Sequence, residues 1–155
     1  MSILIADIET NDLDPNIIWM VGVLDYKTDV FTSYHGDDVA VGILRLLEAD
    51  RVIFYNGLGF DVPVMERLTE GLAKFDRQKI IECLNLSRSY VSMANHKLAT
   101  WGEIFGFPKG DHSDFSRYSE EMRAYCERDC RLTKMIFEFL HEQHIKRGKK
   151  TLLVG

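Results

Sequence analysis

The sequence is poor in three things, and each shortage removes a class of protein. It has only three cysteines, Cys83, Cys126 and Cys130, with no C-x-x-C pair. Neither a disulfide framework nor a four-ligand zinc site can be built from them alone, so a reducing, cytoplasmic compartment is expected. No apolar run approaches the roughly 20 residues of a membrane span. The opening MSILIADIET has neither a basic n-region nor a cleavable apolar segment, so a secreted or membrane-spanning protein is not expected. Positive charge is also short, with 19 Lys+Arg against 24 Asp+Glu and a net charge of −5. A protein that coats nucleic acid by counterion release needs the opposite balance. Any phosphate bound here must be held by something other than bulk charge. Linkers, repeats and low-complexity segments are absent as well, and 155 residues that are 46% hydrophobic describe one globular domain over 1–155. Only the basic stretch at 146–155 reads as a detachable, flexible tail.

What is present alternates between strand and helix patterns. Residues 2–9 alternate as a strand, β-rich runs follow at 17–24 and 30–34, and the polar Lys27, Thr28 and Asp29 between those runs read as a hairpin turn. Asp37 and Asp38 are placed to cap a helix with the stripe Val39, Ile43, Leu46 and Leu47. RVIFY at 51–55 is a short buried strand, followed by the glycine-marked NGLG turn and a helix from about Phe60, with Pro63 in its first turn. Ile80 and Ile81 suggest a further strand, and 96–105 a helix stopped by Gly106 and Pro108. Ser119 is the expected N-cap of a last long helix reaching about Gln143. The order β-β-β-α-β-α-β-α-α predicts an α/β domain with a mixed five-stranded sheet flanked by helices.

Acidic residues stand where apolar ones belong. Along the first strand Ile3, Ile5, Asp7 and Glu9 share one face and Leu4, Ala6 and Ile8 the other, so two carboxylates project side by side from a strand otherwise apolar on both faces. On the last helix the apolar stripe runs through Met122, Tyr125, Cys126, Leu132, Met135, Ile136, Phe139 and Leu140, and the slot between Cys126 and Leu132 is filled by Asp129. A lone buried carboxylate costs several kcal/mol or is neutralised, so it calls for a cation, a metal or dense hydrogen bonding. Asp61, which reads alone equally well as a first-turn acid, follows a buried strand and falls at the carboxyl end of the sheet, where α/β domains build their sites. If Asp7, Glu9, Asp61 and Asp129 meet at about 5 Å, each ionised pair repels by roughly 3 kcal/mol at an effective dielectric near 20. Such a cluster requires divalent cations, and all-oxygen ligands select Mg²⁺ or Mn²⁺ over Zn²⁺. Two such ions about 4 Å apart form a clamp suited to in-line phosphodiester cleavage.

Three stretches carry a family resemblance: D-I-E-T at 7–10, N-x-x-x-F-D at 56–61 and Y-x-x-x-D at 125–129. In this order they resemble the exonuclease motifs of the DEDDy branch of DnaQ-like, RNase H-fold 3′-to-5′ exonucleases. NGLGFDVPVM, the LSR at 86–88, HKLATWGEIFG and YCERDC are most similar to the proofreading domain of bacteriophage family-A DNA polymerases. The related DEDDh branch would place a histidine at position 124, which here is Ala124. The resemblance implies that Asp7, Glu9 and Asp129 bind the metal carrying the attacking water, that Asp7 also bridges to a second metal, and that Asp61 supports it through water. It implies that Tyr125 orients that water, since a phenol with an ordinary pKa near 10 is a poor base at neutral pH. Thr10 and Leu13 match positions that contact and wedge the terminal nucleotide, and Asn56 and Phe60 match positions along the strand's path. The implied substrate is the 3′ end of single-stranded DNA, hydrolysed to nucleoside 5′-monophosphates.

Two positions depart from the pattern: Tyr55 replaces a frequent histidine and Glu82 a frequent aspartate. Fingers, palm and thumb of a polymerase do not fit in 155 residues, which implies a free-standing nuclease or one that docks on a separate DNA polymerase, in the host cytoplasm if phage-encoded. A 3′-to-5′ exoribonuclease, an inactive nucleic-acid or polymerase-binding module and an RNase H-type endonuclease are the competing readings. Lys109 in the PKGDH loop is expected in solvent, as are Lys146, Arg147, Lys149 and Lys150 and the pair His141 and His144. Cys126 and Cys130 are expected as small core residues.

Overall fold

In the computed structural model, which describes residues 1–153, a five-stranded sheet in the order β3-β2-β1-β4-β5 separates two layers of helix. β1 (Ile3–Thr10), β2 (Ile18–Asp25) and β3 (Phe31–His35) form an antiparallel meander. β4 (Arg51–Phe54) and β5 (Ile80–Glu82) extend the sheet in parallel from the other side of β1. The expected mixed α/β class is therefore the observed one. β1 lies in the middle, which is why it is apolar on both faces. Ile3 and Ile5 pack with Met122, Cys126 and Ile136 of α5 (Glu120–Lys146), whereas Leu4, Ala6 and Ile8 pack with Ile43 and Leu46 of α1 (Val39–Glu48) and Met65 of α2 (Val62–Leu68). Each such side chain taken out of water contributes roughly 1.5–3 kcal/mol.

Local chemistry explains the element ends. Asp25 Oδ1 accepts the Lys27 and Thr28 amides at 2.9 and 3.0 Å, and Asp29 takes φ 62°, which closes the expected β2–β3 turn. Ser119 caps α5 by accepting the Met122 amide at 3.1 Å, as its position predicts. Asp38 makes no capping bond, because a tight 3₁₀ turn at Gly36–Asp38 leads the chain into α1 instead. α4 (Leu98–Phe105) starts later than position 96, since Asn95 Oδ1 accepts the Lys97 amide and the Thr100 hydroxyl outside the helix. α3 (Cys83–Tyr90) has no counterpart in the sequence reading: its core-facing stripe is short, Cys83, Leu86 and Tyr90, with the polar Ser87 buried among them.

Two further expectations are corrected. Phe139 is 36% exposed, while Phe137 occupies the core. The basic tail is not loose: Gly148 turns the chain at φ 78°, Leu152 N–H donates to His141 Nε2 at 3.2 Å, and His144 Nε2 hydrogen-bonds the Lys150 carbonyl at 2.9 Å. Arg147 lies 4.7 Å over the Tyr90 ring. Both histidines thus fasten the returning chain rather than facing water, and only positions 154–155 of the tail lie outside the described residues.

The site follows from unequal strand lengths. β1 and β4 pair from Ile3↔Arg51 to Ile5↔Ile53, but β1 continues to Thr10. The chain leaves β4 through Asn56 at φ 62° and enters a wide π-helical turn, Gly57–Asp61. Glycine is required at 57, where a Cβ would lie 2.2 Å from the Phe54 ring. That turn brings Asp61 back to the free end of β1.

Candidate active site

β1 presents Asp7 and Glu9 toward α5, as strand alternation demands, and a register shift against β2 falls between Glu9 and Thr10. Beyond its last pairing with β4, the Ile8 amide donates to Asp61 Oδ2 at 3.0 Å, so Asp61 is tied to the backbone beside Asp7. α5 runs across this end and inserts Tyr125, Cys126 and Asp129. Cys126 is fully buried and its Sγ lies 3.7 Å from the Asp7 carbonyl oxygen. An oxygen of Asp7, an oxygen of Glu9 and Cys126 Sγ lie within 4.8 Å of one another. Close approach of α5 to β2 is possible because Gly22 has no side chain: a Cβ there would meet Cys126 Sγ at 2.4 Å.

Burial weakens the acidity of all four carboxyls, and repulsion adds to it at Glu9, Asp61 and Asp129. Asp7 is raised above the usual carboxylate range by burial, and Asp61 well above it by burial and by Asp7. Glu9 is raised by burial and then by Asp7 and Asp129. Asp129 is pushed up to about 7 by burial and Asp7, against the opposing pull of Lys109. Four acids that resist ionisation in one another's presence are the electrostatic mark of a cation site.

The fit to hard cations rests on two observations. Among the described residues nothing hydrogen-bonds the buried Asp129 Oδ1, and the residue is only 5% exposed. A buried acceptor left unmade costs about 1–3 kcal/mol, and a bound cation would relieve that cost. The donor set is also oxygen: burial keeps the Cys126 thiol well above its ordinary pKa, so the sulfur is neutral and forms part of the floor. Asp7 and Glu9, with Asp61 and Asp129 next to Asp7, thus offer oxygens of the kind hard divalent cations take.

Next to the carboxylates a cavity of about 370 Å³ is lined by Glu9, Thr10, Leu13, Phe60 and Phe115, among others. Leu13 is 89% exposed, and the Thr10 hydroxyl donates to the Asp12 carbonyl at 2.9 Å. Asn56 does not line this cavity. It lines a neighbouring cleft of about 600 Å³ with Tyr55, Arg88, His96 and Lys97. The predicted residues are therefore divided: Thr10, Leu13 and Phe60 share a cavity with Glu9, and Asn56 lines a different cleft.

Three contributors escaped the sequence reading. Lys109 is not solvated: its Nζ pairs with Asp129 Oδ2 at 3.1 Å, donates to the Tyr125 hydroxyl and lies 4.1 Å from that ring's centroid. Phe115 reaches the cavity because Trp19 Nε1 donates to its carbonyl at 2.8 Å. Glu82 accepts the amides of Asn56, Leu58 and Leu84 at 2.6, 2.8 and 3.2 Å, so it holds the turn that leads to Asp61 and caps α3. Its place at the end of β5 was the available signal for the last of these. The other two depend on loops without periodicity.

A family model of the RNase H superfamily matches residues 4–112. The chain belongs to that superfamily. It is also 27% identical over 190 aligned positions to the DNA-directed DNA polymerases of Escherichia phage T7 and Enterobacteria phage T3, matches that take in 91% of this chain and 27% of each polymerase. The chain therefore spans about a quarter of the length of these curated relatives.

Proposed function

We propose that the chain is a metal-dependent 3′-to-5′ exonuclease that hydrolyses single-stranded DNA to nucleoside 5′-monophosphates. The observation that carries this reading is that Asp7 and Glu9 share one end of β1 with Asp61, bound to the Ile8 amide, and with Asp129, whose pKa Asp7 raises, beside a cavity lined by Glu9, Thr10, Leu13 and Phe60. The order and spacing of the DEDDy-like motifs support the direction of digestion, and the similarity to two phage DNA polymerases supports DNA as the substrate.

In this reading Asp7, Glu9, Asp61 and Asp129 would hold the divalent ions between them. Two bound Mg²⁺ or Mn²⁺ ions would supply a water acidic enough to attack at neutral pH and positive charge at the leaving oxygen. The rest falls to the chain's own groups. Tyr125 orients the water through its hydroxyl and does not act as a base, since burial raises its pKa above the ordinary phenol range. Thr10, Phe60 and Leu13 receive the terminal nucleotide, whose base stacks on apolar side chains whatever its identity. Asn56, with Arg88 and Lys97 on the adjoining cleft, carries the strand behind it. A separate DNA polymerase, in the cytoplasm of a host cell, is the partner this reading supplies.

The test is a time course on 5′-labelled oligonucleotides of DNA and RNA, free or blocked at the 3′ end, with Mg²⁺, Mn²⁺ or chelator. A ladder that shortens from an unblocked DNA 3′ end only with metal is expected. Preference for RNA would make the enzyme an exoribonuclease, cutting of closed circles an endonuclease, and binding without turnover an inactive module.

A further inference from the structure

The loop between α4 and α5 carries no helix or strand from Gly106 to Tyr118, yet Lys109 is fastened on three sides. Arg128 Nε donates to the Pro108 carbonyl at 2.6 Å, and its guanidinium lies 4.0 Å from the Phe107 ring centroid, so α5 straps the loop down just before Lys109. On α4, a Cβ at Gly102 would meet the Phe107 carbonyl at 2.8 Å and the Lys109 amide at 3.1 Å, which shows how closely the loop is seated. From there the side chain crosses the Tyr125 ring and ends between the Tyr125 hydroxyl and Asp129 Oδ2, with 28% of it exposed. A lysine that merely fills an acidic hole does not need this support.

We infer that Lys109 is a positioning residue of the reaction, one ammonium that fixes the hydrogen-bond polarity of both Tyr125 and Asp129. An ammonium only donates, whereas a hydroxyl donates once and accepts. The Tyr125 oxygen must therefore accept from Lys109, and its own proton is directed away from the ammonium, toward the space among the carboxylates. A water that accepts this proton keeps a lone pair for attack. The same ammonium occupies Oδ2 of Asp129 and leaves Oδ1, the buried unpartnered oxygen, as the one that faces a cation. Two groups from one helix are thereby oriented by a residue of a separate loop, and the arrangement is set before substrate arrives.

The inference rests on the nuclease reading, and the experiment separates the two. Steady-state kinetics on a labelled single-stranded DNA with Mn²⁺ are measured for the unsubstituted chain, Lys109→Met, Tyr125→Phe and the double variant, with Mn²⁺ binding followed by electron paramagnetic resonance and folding by thermal melting. Lys109→Met is expected to lower kcat by about a hundredfold, the scale of losing one preorganised donor, with KM within about twofold. Mn²⁺ binding is expected to be equal or tighter, because a competing positive charge has gone. The double variant is expected to be no slower than the slower single variant, since Lys109 acts through Tyr125. An unchanged kcat in a folded Lys109→Met, or effects that simply multiply in the double variant, would overturn the positioning role while leaving the nuclease reading in place. An unsubstituted chain that releases nothing from DNA or RNA would overturn both.

Discussion

At the scale of single residues, the site combines groups that are costly to keep together. Under the proposed function Asp7→Ala and Asp129→Ala are each expected to abolish cleavage, since each would remove an oxygen offered to the cations. Asp7→Ala should leave the metal-free protein as stable as the unsubstituted one or more so, because repulsion of roughly 3 kcal/mol per ionised carboxylate pair is relieved, whereas Asp129→Ala also strands the Lys109 ammonium and should gain less. Urea unfolding with chelator checks this, and a clearly lower midpoint for Asp7→Ala would count against the cluster. Tyr125→Phe should lower turnover more than substrate affinity, because the proposed role of its hydroxyl is to orient the water and Tyr125 does not line the cavity of Thr10 and Phe60; equal turnover would remove its role. Asp7, Glu9 and Asp129 were legible because each breaks an apolar period that is otherwise unbroken. Lys109 was not, since nothing in PKGDH indicates that Arg128 fastens the loop onto the helix.

Among the elements, the decisive fit is between α5 and the middle of the sheet. Gly22→Ala would drive a methyl into Cys126 Sγ, 2.4 Å away, and into the Phe31 ring at 3.0 Å. A loss of about 1–3 kcal/mol is expected from such overpacking, read as a lower denaturation midpoint. Activity should fall as well, because α5 carries both Tyr125 and Asp129. Glu82→Gln tests the other support. Both oxygens of Glu82 accept backbone amides, and a glutamine would turn an N–H₂ toward at least one of them, costing about 1–3 kcal/mol. Activity loss beyond the fraction unfolded would show that the Asn56 turn delivers Asp61. The departures from the family pattern at 55 and 82 are therefore not vacancies. Tyr55 donates to the His96 carbonyl and Glu82 holds three amides, so both take structural work at the clefts.

For the whole molecule, the raised carboxyl pKa values link folding to pH and to metal. Asp129 has an ordinary value of 3.8 and a folded value of about 7, so between these the folded state binds the extra proton. The sign follows: stability is full below about pH 4 and is lost as pH rises through 7, and Glu9, Asp7 and Asp61 act in the same direction. In chelator, the melting temperature should decline from pH 5 toward pH 8 so far as these groups dominate. Mn²⁺ should raise it, and by more at the higher pH, where fewer protons must be displaced. A manganese effect independent of pH would contradict proton displacement at the site.

Periodicity was sufficient for the α/β class, the two faces of β1, the capped start of α5 and the misplaced acids, because alternation and helical spacing are local properties written in consecutive residues. The joining of those acids was decided elsewhere. β1 outruns β4, a π-helical turn brings Asp61 back to the Ile8 amide, and α5 sinks onto the sheet where Gly22 leaves room for Cys126. Lys109, Phe115, α3 and the packed tail likewise depend on contacts between segments far apart in the chain. Such contacts are set by the shape of the packed whole, which no short window of sequence contains.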